Sequence, residues 1–239
     1  MTRDQREKRD RTIGEFVAED YRSAQVFESY DIDFCCGGQK TLFEACREKA
    51  LDPAVLLQEI EAVKNEPGEG SEDFRTMALP ALIDHIVHIH HAYLNENTGQ
   101  IAAYARKVAD VHGERHPEVI RIAAVFDQIK ADMAGHLEEE EKVLFPAINR
   151  LSEAGKGGPP PADGDRAVIR DSLAVLHREH EGIGDAVHRI RSLANDYAIP
   201  EDVCNTFVVT YGKLREFEDD LHKHVHLENN ILFPRAANL

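Results

Sequence analysis

No stretch of this 239-residue chain comes near the roughly 20 consecutive apolar residues needed to cross a bilayer. The opening MTRDQREKRDRT lacks the apolar core of a secretory signal, so a cytoplasmic location is expected. Basic residues are scarce: 28 Lys and Arg stand against 44 Asp and Glu, a formal net charge of −16. Such a surface repels phosphodiester backbones and anionic lipid, which excludes nucleic acid and membranes as partners. Cysteine is limited to four residues, and a disulfide framework is not expected of a cytoplasmic chain. Strand signals are nearly missing too. Apolar residues recur three and four apart almost throughout, which predicts an all-α protein.

Turn residues divide the chain at about residues 65–75, where NEPGEGSED carries no periodicity. The expected organisation is a small helical domain over 1–66 and an antiparallel four-helix bundle over 74–239. In the first part, Thr12 with Glu15 and Thr41 with Glu44 fit the capping box, and Asp52-Pro53 fits a helix start. Between them lies DFCCGG, residues 33–38. In the second part, four long helices are predicted near 78–109, 116–150, 166–195 and 200–236. The Gly/Pro-rich SEAGKGGPPPADGD separates the middle two.

What the chain has in excess is histidine. Of its 13, seven fall in the clusters 85–91 and 222–226, and His177 and His180 form a further pair. Their spacing repeats. Aligned on LFP, His136 and Glu140 of the second long helix correspond to His224 and Glu228 of the fourth, and Asp132 to Asp220. Upstream, His85, His88, His90 and His91 compete, and the match of HIHH at 88–91 to HREH at 177–180 selects His91 opposite His180, with His88 matching His177. Residues four apart share a helix face. The face that carries His136 and Glu140 is apolar, flanked by Ile129, Met133, Val143 and Leu144; Phe217, Leu221, Ile231 and Leu232 flank the other pair. A single His-x-x-x-Glu pair is ordinarily a surface hydrogen bond. Two such pairs in register on buried stripes, each with an upstream histidine, call for a common partner, because buried polar groups must be paired.

A pair of metal ions is the economical partner, held by His91, His136, Glu140, His180, His224 and Glu228. Imidazole and carboxylate suit iron, manganese or zinc, and the bundle setting favours two non-haem iron ions. If the glutamates and an oxide bridge them, each metal keeps one open position for O₂, nitric oxide or peroxide. Asp132 and Asp220, one turn before His136 and His224, are either hydrogen-bond acceptors that orient those rings or solvated acids. Glu179 carries the same ambiguity, and the run Glu138–Glu141 is expected to be a solvated face apart from Glu140.

Cys35 and Cys36 are adjacent, so a disulfide between them is disfavoured by geometry. Gly37-Gly38 permits a tight turn whose exposed amides would lower a thiol pKa. These two are the candidate reactive thiols, whereas Cys46 and Cys204 are expected to be core residues.

YDIDFCCGG (30–38), His91, HLEEEEKVLFP (136–146), HREH (177–180) and HVHLENNILFP (224–234) together resemble a known family. The bundle is similar to hemerythrin-like domains, and its combination with DFCCGG resembles the repair-of-iron-centres di-iron proteins, over nearly the whole chain. The resemblance implies the same six iron ligands and a role in restoring iron–sulfur clusters damaged by nitric oxide or oxidants. Its implied partners are damaged iron–sulfur proteins and small ligands such as nitric oxide and O₂. No seventh ligand is visible, which argues against simple oxygen carriage. The ligand set leaves open iron donation, nitric oxide reduction by a redox enzyme, and sensing of O₂ or nitric oxide.

Overall fold

The computed structural model describes residues 11–65, 73–155, 157, 161–162 and 164–239. The polar segment 1–10, most of the junction at 65–75 and part of the Gly/Pro-rich connection lie outside the described residues. The described residues are helical with no strand; a single bridge joins Thr12 and Thr41.

The chain forms two compact units that do not follow its linear order: residues 1–82 group with 225–238, and 83–224 form the other with Leu239. The first contains α1 (Ile13–Glu19), α2 (Ser23–Ser29), α3 (Leu42–Glu48) and α4 (Pro53–Asn65). Both capping boxes form: Thr12 and Thr41 accept from the backbone N–H of Glu15 and Glu44, whose carboxylates accept from the threonine N–H groups. Asp52 Oδ1 accepts from Ala54 N at 2.8 Å, capping the helix that Pro53 begins. Phe16, Phe27, Leu42, Leu56 and Ile60 fill a core closed by an edge-on Phe16–Phe27 contact. Some 60 residues make a marginal core. The unit is enlarged by the end of the last helix, whose Arg235 donates to the carbonyls of Met77 (2.6 Å) and Phe74 (3.4 Å).

Four long helical rods complete the chain. The first runs α5 (Leu79–His85), a π-helical turn π1 (Ile86–His91) and α6 (Ala92–His112). The second runs α7 (Glu118–Glu139), π2 (Glu140–Leu144) and α8 (Phe145–Ala154). The third is α9 (Asp165–Leu193); the fourth runs α10 (Asn205–Leu227), π3 (Glu228–Leu232) and α11 (Phe233–Ala236). They form a helical bundle, whose middle is filled by residues such as Phe126 and Phe217, 5.0 Å apart edge to face.

The fourth rod starts five residues later than the expected 200. Asn195, Asp196 and Tyr197 all take left-handed backbone (φ 48°, 56° and 58°), a conformation L-residues rarely adopt in succession. Tyr197 is held there by its buried ring and by its hydroxyl, which donates to Glu218 at 2.7 Å. The chain therefore spends residues 195–204 on a turn before α10 begins.

The π-turns are the fold's main departure from regular helices. Phe145 N–H donates to the carbonyl of Glu140, and Phe233 N–H to that of Glu228, each reaching five residues back. Pro146 and Pro234 come directly after. Proline has no N–H to give to the preceding turn, so a wider turn before it costs less than it would elsewhere. One extra residue per turn re-aims the side chains beyond it: Val143, expected on the buried stripe, is exposed, whereas Leu144 is fully buried.

Candidate metal centre

The π-turns hold three of the six residues that the repeat singles out. His91 ends π1, Glu140 opens π2 and Glu228 opens π3. His136 lies one turn before Glu140 on α7, His224 one turn before Glu228 on α10, and His180 sits on α9. All six are at most 3% exposed.

Their donor atoms fall into two groups, each within 4.8 Å: His91, Glu140, His224 and Glu228, and His136, Glu140, His180 and Glu228. Both glutamates belong to both groups, and each group adds two histidines of its own. His91 Nε2 and His136 Nε2 each lie 3.4 Å from the same oxygen, Glu140 Oε2. His136 Nε2 and His180 Nε2 are 3.0 Å apart, and the His91 and His224 rings meet edge-on at 5.0 Å. Carboxylates and imidazoles converging at this depth form the mixed donor set that first-row transition cations take. The residues fit a metal.

Residues 9–64 match a domain of unknown function, DUF542, and residues 82–236 match the hemerythrin HHE cation-binding domain. The chain is 33% identical over 217 residues to a probable iron–sulfur cluster repair protein of Haemophilus influenzae, covering 90% of this chain and 92% of that one. It is 32% identical over 228 residues to the iron–sulfur cluster repair protein YtfE of Yersinia pestis and of Yersinia pseudotuberculosis, covering 95% of this chain and 97% of theirs. The chain belongs to the iron–sulfur cluster repair family. Its cation-binding domain is thus matched by His/Glu clusters of its own that can hold metal. Among the described residues, no helix is long and apolar enough to cross a membrane.

Of the acids that could orient these histidines, Glu179 does so, and Glu141, expected in a solvated face, does so too. His91 Nδ1 lies 2.8 Å from Glu141 Oε1, and His136 Nδ1 lies 2.9 Å from Glu179 Oε2. A carboxylate on Nδ1 fixes the tautomer and leaves Nε2 as the ligating nitrogen. Asp132 instead accepts from Gln128 at the surface, and Asp220 pairs with His90 Nδ1 at 2.9 Å. Spacing along one helix could not find these partners, because Glu179 reaches His136 from a different rod. The repeat passes over His90, one of the four competing histidines, which is buried and stacked on His224 with ring centroids 5.8 Å apart. His88 is exposed, bonded to its own helix at the carbonyl of Asp84, and His177 is only half-buried.

A further donor group, His188, Glu218 and His222, also lies within the bundle. There Glu218 already binds Arg191 at 2.9 Å and the Tyr197 hydroxyl, so its charge is met by the protein.

The cysteine loop packs against the turn that carries Glu228. Asn230 Nδ2 donates to the carbonyls of Phe34 (3.2 Å) and Cys35 (3.1 Å), and the Phe34 ring lies 6.0 Å from that of His226. His226 is buried and stays neutral, its pKa pushed down to about 3 by desolvation. Gly38 is required by close approach, because a Cβ there would run into the Asn230 side chain and stand 2.5 Å from the Phe34 carbonyl. The loop's amides are engaged internally: Cys35 N–H and Cys36 N–H donate to Asp33 Oδ1, and Gly37 N–H to Oδ2. The expectation of a lowered thiol pKa from free amides is therefore corrected for Cys35. The adjacent Cys36 sulfur, burial and the Asp33 carboxylate push the Cys35 thiol well above its ordinary range. The two sulfurs are 3.9 Å apart and not bonded. Cys46 is buried as expected, but Cys204 is exposed.

Proposed function

We propose that this chain repairs iron–sulfur clusters damaged by nitric oxide or oxidants, using two non-haem iron ions held by His91, His136, Glu140, His180, His224 and Glu228. The observation that carries this reading is the pair of overlapping donor groups sharing Glu140 and Glu228, in a chain aligned over nine-tenths of its length with proteins named for cluster repair. In it Glu140 and Glu228 would be ligands common to both metals, and each metal would take two histidines of its own. When bound, the iron pair supplies exchangeable iron and a redox centre open to small ligands.

The chain's own residues shape how readily that iron is held. Glu141 and Glu179 fix the rings of His91 and His136, keeping Nε2 of each toward Glu140. Both carboxylates are partly exposed, at 39% and 46%, so they extend from solvent to the buried donors. Exchange of iron is proposed to take place along this edge, where displacement of either acid would loosen a histidine of the donor groups. Cys35 and Cys36, docked beside the turn of Glu228, are the candidate thiols for handling iron or the damaging species. Four free cysteines suit a reducing compartment, and we place the activity in the cytoplasm.

The test is repair in vitro. Iron-loaded protein, incubated anaerobically with nitric-oxide-damaged aconitase, should restore activity as its own iron falls; the His136→Ala variant should not. Nitric oxide consumed catalytically with a supplied electron donor, without iron loss or restored aconitase, would overturn repair in favour of a reductase.

A further inference from the structure

The thiol that the structure sets apart is Cys204, at the mouth of α10. Its carbonyl accepts from the N–H groups of Phe207 (3.0 Å) and Val208 (3.3 Å), so it occupies the cap of a 23-residue helix. The backbone N–H groups of Thr206 and Phe207 and the Thr206 hydroxyl converge on its sulfur. Facing it is His112, the last residue of α6, nine-tenths buried and resting edge-on against Phe207, with Nε2 3.1 Å from Sγ.

The two helix ends have opposite preferences. A helix N-terminus carries partial positive charge and favours an anion, and a C-terminus favours a cation. A thiol at the first and an imidazole at the second, in hydrogen-bond contact, are the two halves of a proton transfer that both helices promote. Neighbouring charges leave the pair intact: Asp202 is engaged by His116 (3.1 Å) and Arg115 (3.5 Å), and Glu118 by the other nitrogen of His116 (3.2 Å).

We infer that Cys204, in hydrogen-bond contact with His112 at the bundle surface, is a modification site for low-molecular-weight disulfides. The thiolate attacks one sulfur of the incoming disulfide, a new S–S bond forms to Cys204, and the old one breaks. The Cys204 proton passes to His112 as Sγ attacks, and the departing thiolate leaves with its electron pair and takes that proton from His112. The disulfide is the oxidant, so no other reactant is needed. Cys35 lacks these conditions: it is buried, and its acidic neighbour opposes the thiolate.

Contact with His112, then the N–H groups of Phe207 and Thr206, brings the Cys204 thiol down to about 7. Against an ordinary thiol near about 8.5 this raises the thiolate fraction at pH 6 about thirtyfold, and the lower basicity returns part of it, leaving a net gain of roughly five- to sevenfold in rate. The probe is dipyridyl disulfide on the full chain, with peptide mass spectrometry locating the adduct. Cys204 should react first, its rate half-maximal near pH 7. His112→Gln should slow it by up to about fivefold at pH 6 and move the midpoint upward from about 7 toward the ordinary thiol value of about 8.5. Cys204→Ser should abolish the fast phase. Prior reaction at Cys35 or Cys36, or a midpoint unmoved by His112→Gln in a variant folded by circular dichroism, overturns the pair. Should that variant not fold, a wild-type midpoint at the ordinary thiol value overturns it alone.

Discussion

Replacing Gly38 by alanine tests how the cysteine loop is held. The new Cβ would stand 2.5 Å from the Phe34 carbonyl oxygen and 2.8 Å from Asn230 Cγ, contacts that real structures do not tolerate. Backbone atoms cannot yield at Phe34, so the loop must lift or the Asn230 side chain must leave. Overpacking of this kind costs about 1–3 kcal/mol. Displacing Asn230 also gives up its bonds to the Phe34 and Cys35 carbonyls, about 0.5–1.5 kcal/mol each. Gly38 is not among the residues with positive φ, so alanine recovers about 0.4–1 kcal/mol through the unfolded chain. The net expectation is a loss of about 2–4 kcal/mol. Urea denaturation measures it, and reaction of Cys35 with dipyridyl disulfide, slow in the parent, should accelerate as the loop opens. Adding Asn230→Ala removes one of the two clashes, so the double variant should be less destabilised than the sum of the singles by about 1 kcal/mol or more. A Gly38→Ala loss below about 0.5 kcal/mol, or full additivity with Asn230→Ala, would refute the packing argument.

Glu179→Gln, which keeps the shape but not the charge beside His136, should weaken metal binding about 10- to 100-fold in a chelator competition, with Glu141→Gln acting alike on His91; unchanged affinity in both would dismiss these carboxylates as orienting groups. Asp165 is gripped by Arg150 (2.7 and 3.1 Å) and by the Ala162 N–H, which hold its carboxyl below the usual range. Its folded value thus lies below its unfolded one, so its contribution is present above about pH 4 and is lost as acid passes through the folded value. Stability curves of the parent and Asp165→Asn should separate above about pH 5 and converge in stronger acid; a gap independent of pH would contradict this.

The bundle and its six inward residues are legible in the sequence because they rest on periodicity and repetition. His136 with Glu140 and His224 with Glu228 are i, i+4 pairs, a relation that helix geometry determines locally. The capping residues Thr12, Thr41 and Asp52 act within three positions and are equally readable. Relations that depend on how rods meet are not. Glu179 reaches His136 across 43 positions, and Asp220 reaches His90 across 130. Two of the three π-turns, π2 and π3, have a signal, a proline six residues after the glutamate, but helical periodicity alone places Val143 inside. Cys204 escapes a reading by composition because its setting depends on the left-handed turn at 195–197 and the delayed start of α10. Apolar character cannot reveal that this thiol caps a helix.

The most direct measurement is metal content after anaerobic loading with ferrous iron, compared across the ligand residues. Glu140 and Glu228 belong to both donor groups, whereas His91, His136, His180 and His224 each belong to one. The parent should therefore hold about two irons per chain. His91→Ala and His136→Ala should each retain roughly one, and Glu140→Ala and Glu228→Ala should fall well below one. Less than about one iron in the parent, or equal losses from shared and unshared ligands, would contradict two metals joined by common carboxylates.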